Sequence, residues 1–475
     1  MRIKFFLFLL FLRVYSLPAQ GIFEKIEAGL NSSVNVKSLD NKGIHINSAV
    51  AFFISNDGLA ITNSSILQDA DSVIFYDNNG KHIEINNIVA LHNFGNLALI
   101  HLKIQRPNNY GYFTPSKTAY AGESELLAFV NSRDIKDRLS YGKIENVQRC
   151  IIGGRIATVN IKSGNSSDCS PVIDNNGNFI GIFRISDSDE KGFLFPVSYI
   201  NDTSWVSVNQ KWHEFKLNPE KERLTSPFFY KTILCIAEKN WVDASQNLTE
   251  FIKYFPENSN LYALRAYCRV KYGNHTSGNR DIMISEELNP NNPFSSYSKA
   301  IYFLERNDKR RALNELFTAI DKDPNFAEAF LEIGKIQTFN NDIKRAFASF
   351  TYAVQIDSLL AEAWYERGRL SLLHSSNLNN ALSDLYTAAR LDPSLTGVYS
   401  LTGEIRLKNK DFPEAISDFD KAIKRNPNDT HALTSRGIAL YNNGFTDKAC
   451  EDWSNAAQQG SIQAIKMINS YCTPK

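Results

Sequence analysis

The sequence predicts a chain of two parts, an all-β first half of sandwich or barrel type and an all-α second half built as a solenoid. Two observations predict it. From about Ser33 to Ile200, short β-type runs alternate with clusters of turn residues, the spacing of an all-β sandwich or barrel. From about residue 226 onward, small residues recur with a period near 34, which marks stacked helical units. A chain of 475 residues is long enough for both.

The first residues stand apart from either fold. Arg2 and Lys4 precede an apolar run, Phe5 to Leu12, and then Ser16-Leu17-Pro18-Ala19-Gln20. A charged start, a short apolar stretch and a small residue at a cut site predict a signal peptide over residues 1–19. The apolar run is too short for a bilayer, which needs about 20 residues of helix. No other segment is long and apolar enough to span one, so no transmembrane segment is expected. The protein is expected to be exported, to a periplasm or the cell exterior. With 43% hydrophobic and 22% charged residues and a formal net charge of +1, the chain has an ordinary globular composition. That balance gives no basic footprint for nucleic acid, which is excluded as a partner class.

The β half is expected over residues 21–200. Ser72 to Tyr76 and His82 to Ile85 flank Asp77-Asn78-Asn79-Gly80, and Val172-Ile173 and Phe179 to Ile182 flank Asp174-Asn175-Asn176-Gly177. Both predict hairpins, because Asn and Gly tolerate positive φ. The stretch Ser48 to Leu67, SAVAFFISNDGLAITNSSIL, resembles the first barrel of trypsin-like serine proteases of the HtrA type, in which a glycine-flanked strand leads to a Thr-Asn-x-His turn. Thr62 and Asn63 match that turn. Asn96-Leu97-Ala98-Leu99-Ile100 resembles the Asp-Leu-Ala-Leu-Leu element, Gly164 to Gly181 resembles the Gly-x-Ser-Gly-Gly-Pro loop with its hairpin, and Gly192 to Pro196 resembles the closing phenylalanine–proline strand. The resemblance implies a trypsin-like double barrel.

It also implies that the catalytic triad is lost. Ser65 stands at the His position and Asn96 at the Asp position. Anchoring on Pro171 places Asp168 at the nucleophile, with Cys169 and Ser170 at the two glycines. A triad needs a base, an orienting acid and a nucleophile together. Ser65 is no base near neutral pH, Asn96 lacks the charge that stabilises an imidazolium, and Asp168 would repel an oxyanion. Cys169 as a displaced nucleophile would need a nearby His, and His45, His82, His92 and His101 are all off the pattern. Ser166, Ser167 and Ser170 are further candidates, with spacing that does not fit. The six cysteines form three sequence-near pairs, Cys150 with Cys169, Cys235 with Cys268, and Cys450 with Cys472. In an oxidising compartment these permit disulfides, and Cys450 with Cys472 is the candidate pair. No Cys/His cluster has zinc spacing, so no metal and no cofactor is expected.

Residues 201–225 predict a linker in which Trp205, Trp212 and Phe215 dock one domain on the other. Beyond it, pivot residues fall at Ala266, Ala300, Gly334, Gly368, Gly403 and Gly437, in steps of 34, 34, 34, 35 and 34. Further small residues recur at Ala312, Ala346, Ala415 and Ala449, with Ala381 shifted by one, and again at Ala319, Ala353, Ala388, Ala422 and Ala456. Pro256, Pro290, Pro324, Pro393 and Pro427 close most units. Small residues let two helices cross closely and proline ends the second. The pattern resembles tetratricopeptide (TPR) repeats, an all-α solenoid of about seven units over residues 226–460, the first degenerate. Residues 461–475 predict a capping helix and tail.

The resemblance implies a surface for peptides or partner proteins, lined by the first helix of each unit. By register Tyr267, Tyr297, Lys335, Tyr365, Arg369 and Glu404 face it. The favoured reading is an exported, non-catalytic protein- or peptide-binding scaffold that reuses a protease fold, and not an enzyme. Two alternatives stay open: a serine- or cysteine-type endopeptidase with a non-standard site, and a structural subunit of a larger cell-envelope assembly.

Overall fold

A computed structural model of the chain describes residues 19–68, 70–77, 79–92, 96–104, 111–114, 125–130, 139–150, 154–161, 168–185, 192–197, 205–216, 227–374, 378–392, 394–395 and 397–472. The expected signal peptide, the loop Gly164 to Ser167 and Pro393 lie outside these residues, apart from Ala19. The chain divides into two compact units, Met1–Pro290 and Asn291–Lys475.

The β region opens with a helix that the sequence did not announce, α1 (Ala19–Ser32). Its Ile26 and Leu30 are buried in the apolar layer between the two β units. Next comes an open, half-barrel sheet of eight strands: β1 (Ser33–Leu39), β2 (His45–Phe53), β3 (Leu59–Asn63), β4 (Ser72–Tyr76), β5 (His82–Ile83), β6 (Ile85–His92), β7 (Leu97–Leu102) and β14 (Trp205–Gln210). Their order is β14-β6-β7-β3-β2-β1-β4-β5. A closed barrel follows, made of β8 (Glu125–Phe129), β9 (Leu139–Cys150), β10 (Gly154–Val159), β11 (Ser170–Asp174), β12 (Phe179–Ile185) and β13 (Gly192–Pro196).

Strand side chains alternate between faces, and β2, β3 and β7 are apolar on both. Ala49, Ala51, Phe53, Ala60, Ala98 and Ile100 fill the half-barrel. Phe52, Ile61 and Leu97 point the other way, into the layer shared with Phe113, Phe129 and Phe179. Burial on both sides explains why these strands read as continuous apolar runs. Both predicted hairpin loops form, and by one device. Asp77 Oδ1 accepts from the backbone N–H of Asn79 and Lys81 at 2.9 and 2.8 Å. Asp174 Oδ1 does the same for Asn176 and Asn178 at 2.9 and 2.8 Å. Gly80 and Gly177 take the positive φ, 77° and 72°, that each loop requires.

The linker expectation is corrected over its described part. Trp205–Gln210 is strand β14, paired antiparallel with β6, and Trp205 sets its ring edge-on to His92 at 5.1 Å. The short helix α2 (Trp212–Phe215) then drives Phe215 into the half-barrel core. These aromatics complete the β region. The apolar alternation of an edge strand with one half-covered face is too weak to stand out in sequence.

In the first unit the β region is followed by two helix pairs, α3 (Phe228–Ala237) with α4 (Trp241–Tyr254) and α5 (Ser259–Lys271) with α6 (His275–Leu288). The second unit holds α7 (Pro293–Glu305) with α8 (Lys309–Lys322), α9 (Ala327–Phe339) with α10 (Ile343–Ile356), α11 (Ala361–His374) with α12 (Leu378–Leu391), α13 (Val398–Asn409) with α14 (Phe412–Arg425), α15 (Thr430–Asn442) with α16 (Thr446–Gln458), and α17 (Ile462–Tyr471). The pivots do what their size requires. A Cβ added to Gly334 would lie 2.5 Å from the Phe350 ring, and one on Gly437 would lie 2.3 Å from Trp453 Nε1. Cys450 and Cys472 form a disulfide that ties α16 to the end of α17. Cys169, Cys235 and Cys268 are free thiols, so Cys235 and Cys268 do not pair. The Cys150 side chain falls outside the described set.

Candidate functional site

The three positions of the expected triad do converge, joined by residues beside them. Asn63 ends β3 and caps a 3-10 turn, Ser64–Leu67. Its Oδ1 accepts from Ser65 N and Ser65 Oγ at 2.9 and 2.8 Å, and its Nδ2 donates to Asp168 Oδ2. Ser64 donates from Oγ to Asn96 Oδ1 at 2.5 Å and from its backbone N–H to the Asn96 carbonyl at 3.0 Å. Asn96 sits at φ 49°, a left-handed turn that Asn accepts more readily than most residues.

Asp168 is held on every side. Arg184 donates Nε to Oδ1 at 2.8 Å and Nη2 to Oδ2 at 3.2 Å, and Ile185 N–H reaches Oδ1 at 3.1 Å. With Asn63 this makes four donors, as many as a carboxylate has lone-pair sites. The Arg184 side chain is only 1% exposed. Burial works against its charge, but Asp168 and the neighbouring Tyr230 and Cys169 outweigh it and raise the guanidinium above its ordinary range. Its other face is covered by the Tyr230 ring of α3, 4.1 Å from the guanidinium carbon. Tyr230 also lies 5.6 Å from Phe195 and donates its hydroxyl to the Ile185 carbonyl at 3.5 Å.

Cys169 is fully buried in the layer between the β units. Burial pushes its thiol far up, with Arg184 opposing and Asp168 adding to the shift, so a thiolate is disfavoured there. Its φ of 68° keeps the left-handed backbone expected of the glycine it replaces. Ser170 is buried at the start of β11, and Ser166 and Ser167 lie outside the described residues. Two of the off-pattern histidines hydrogen-bond elsewhere. His45 meets Ser48 Oγ at 2.7 Å, and His101 meets Asn86 Nδ2 and the Asp57 carbonyl, both at 3.0 Å. Among the described residues no group of His, Cys, Asp and Glu could hold a metal ion, and no helix is long and apolar enough to cross a membrane.

Of the helical candidates, Tyr297 is corrected. It is 5% exposed and lies between Phe294 and Phe326 at 6.0 and 5.0 Å; its register pointed outward, but these two rings cover it. Tyr267 is half-buried, edge-on to Trp241 at 5.8 Å. Tyr365 is half-buried against the α11–α13 core. Lys335 bridges Glu332 and Glu362 at 2.8 and 2.7 Å. Arg369 pairs with Glu366 at 2.7 Å, and Glu404 accepts from His431.

Residues 49–182 match the trypsin-like peptidase domain family, and residues 401–465 match the tetratricopeptide repeat family. The chain thus carries a trypsin-like peptidase domain and, after it, tetratricopeptide repeats. It is 27% identical over 94 residues to human tetratricopeptide repeat protein 13, a stretch that covers 20% of this chain and 10% of that protein. Among solved structures it is similar to Pseudomonas aeruginosa pilF (TM-score 0.41, 15% identity, 45% of this chain and 98% of that one). It is also similar to the active form of the Rv3671c protease from M. tuberculosis (TM-score 0.32, 18% identity, 39% of this chain and 84% of that one).

The tetratricopeptide repeats hold a feature that sequence reasoning missed. Residues just before a pivot send arginine into a carboxylate on the second helix of the same unit: Arg265 to Asp281 at 2.8 Å, Arg367 to Asp384 at 2.7 Å and Arg436 to Asp452 at 2.6 Å. Lys299 and Glu315 make a longer version at 3.4 Å. Where Thr402 replaces the base, the buried Asp418 is met by Arg406 and Lys421 at 3.3 Å each and by the Tyr386 hydroxyl at 3.0 Å. Extending the repeat register from small residues to carboxylates would have found these positions.

Proposed function

We propose that this is an exported, non-catalytic scaffold. The peptidase domain has kept its fold but not its chemistry, and the repeats bind a protein or peptide partner. The observation that carries the reading is the state of Asp168. The nucleophile position holds a carboxylate with all its acceptor sites engaged by Arg184, Ile185 and Asn63. It can neither attack a carbonyl nor take a proton without breaking a buried ion pair. Ser65 and Asn96 supply hydrogen bonds and no base. The alternative nucleophile Cys169 sits in an apolar layer with its thiol held protonated. The charged and apolar residues at the start of the chain support export.

The test is cleavage of a fluorogenic unfolded protein by the wild type and by the Asp168→Ala and Cys169→Ala variants. All three are expected at the no-enzyme background. Turnover in the wild type that disappears in one variant would overturn the proposal and identify the working nucleophile. N-terminal sequencing of the protein recovered outside the cytoplasm is expected to begin at Gln20.

A further inference from the structure

Two neighbouring repeats share a pattern that their flanking repeats lack. The first helix of each carries Glu, Glu, a base and a large apolar residue, spaced four, three and four apart: Glu328, Glu332, Lys335 and Phe339 on α9, and Glu362, Glu366, Arg369 and Leu373 on α11. This spacing puts all four on one helix face. The Lys335 bridge from Glu332 to Glu362 shows that the two faces adjoin. At the matching positions α7 has Phe294, Ser298, Ile301 and Glu305, and the chain at α13 has Gly397, just before the helix, then Leu401, Glu404 and Lys408.

We propose that the joined face of α9 and α11 docks a protein segment carrying lysine or arginine close to an apolar side chain. The proposal rests on the reading of the repeats as protein-binding and names the chemistry of the partner. Two observations select it. Phe339 and Leu373 are 70% and 62% exposed, among the most exposed large apolar side chains of the described residues. Lone exposed apolar residues need no explanation, but these two occupy equivalent positions on adjacent helices. Beside these two residues, α9 and α11 themselves contribute four carboxylates and two cations to the face. Its own cations are already committed, Lys335 between two glutamates and Arg369 on Glu366. An acidic partner would have to displace those glutamates, whereas a basic one joins them. The Phe339 ring already receives a cation, the Lys309 ammonium 3.9 Å from its centroid.

The experiment pans phage-displayed random dodecapeptides on the full chain. It then measures the best enriched sequence, as a dye-labelled synthetic peptide, against the wild type and two variants, Glu328→Lys/Glu362→Lys and Phe339→Ser/Leu373→Ser. Each variant is checked for wild-type circular dichroism, and the second alters only exposed side chains. Enriched sequences are expected to pair Lys or Arg with Leu, Ile or Phe, and both variants are expected to bind about tenfold more weakly or worse. Enrichment of acidic or uncharged sequences overturns the partner chemistry and leaves peptide binding standing. So does basic-peptide binding that survives in Phe339→Ser/Leu373→Ser. Failure to enrich any sequence over an unrelated control protein removes both readings.

Discussion

The same chemical pair, an arginine fork on a largely buried carboxylate, occurs in both halves of the molecule in different settings. In the peptidase domain it occurs at Asp168 and Arg184, across a strand and a turn, where a nucleophile would stand. In the repeats it recurs as Arg265–Asp281, Arg367–Asp384 and Arg436–Asp452, joining the two helices of one unit. A pair of this kind resists removal because each partner alone is an uncompensated charge. At Asp168 it fills the acceptor sites of a single carboxylate between two strands. Placed at a fixed register in a repeat, it fastens the two helices of a unit, and Arg265 and Arg436 also reach back to Thr249 and Asp420 of the preceding unit. The difference lies in position and not in the interaction, and it can be tested by breaking each pair in turn.

The largest effect is expected at Arg184. Arg184→Met keeps the bulk of the side chain but leaves Asp168 without its ion partner, and Tyr230 loses the cation beneath its ring. The expected loss is roughly 3–5 kcal/mol in urea unfolding. Adding Asp168→Asn should return more than half of it, because the stranded charge is then gone. A loss below about 1 kcal/mol would mean that the corner is not locked by this pair, and the contrast with the repeats would collapse.

Arg436→Met breaks the corresponding clamp in the last repeat. The expected cost is roughly 3 kcal/mol, at the low end for buried pairs, because the Arg436 side chain keeps 23% exposure. Here too Asp452→Asn should repair most of the damage. Hydrogen exchange should show the loss concentrated in α15 and α16 and in α14, whose Asp420 also pairs with Arg436 at 2.6 Å, since a repeat contacts mainly its neighbours. Even loss of protection across the whole second unit would contradict the view of the clamp as a local fastener.

This contrast also marks how far the sequence could be read. The hairpin turns at Asp77 and Asp174 and the small pivots from Ala266 to Gly437 were legible because their chemistry is local or periodic. That Ser65, Asn96 and Asp168 come close together was legible, because each lies in a block that resembles one of the family's. What held them together was not. Arg184 lies in the apolar strand FIGIFRI, and nothing local says that it returns to a carboxylate sixteen residues earlier. Asn63 read only as half of a turn motif, although it links Ser65 to Asp168. Tyr297 failed for a related reason. Helical register placed it on an exposed face, and the ring that covers it, Phe326, comes from the chain just before the next unit's first helix.

A smaller effect should separate close packing from charge in the repeats. Gly437→Ala puts a methyl 2.3 Å from Trp453 Nε1, and that ring is buried and donates to the Thr434 carbonyl at 3.0 Å. Overpacking of this kind costs about 2–3 kcal/mol, and alanine's better helix propensity offsets about 1 kcal/mol of it. A net loss of about 1–2 kcal/mol is expected by thermal or urea unfolding. A stabilised variant would show that the helices can separate at the pivot, and that the arginine clamps set their spacing instead.

The smallest effect belongs to a pair that titrates. His431 on α15 hydrogen-bonds Glu404 on α13. That bond, against burial and together with the charges of Glu404 and Asp429, raises the imidazole above its ordinary value. A group whose folded pKa is raised stabilises the fold fully below its unfolded value, about 6.5, and loses that stabilisation as pH rises through the folded value. The second unit should therefore be slightly more stable at pH 6 than at pH 8. The difference should be no more than about 0.5 kcal/mol, because the pair is half-exposed and solvent screens it. Glu404→Gln should flatten that slope and return the His431 titration, followed by NMR, toward the free-imidazole value. The Arg184 and Arg436 pairs should show no such slope in this range, since arginine does not titrate there. A slope that survives in Glu404→Gln would assign the pH response to another group and leave the inter-repeat pair with no measurable role.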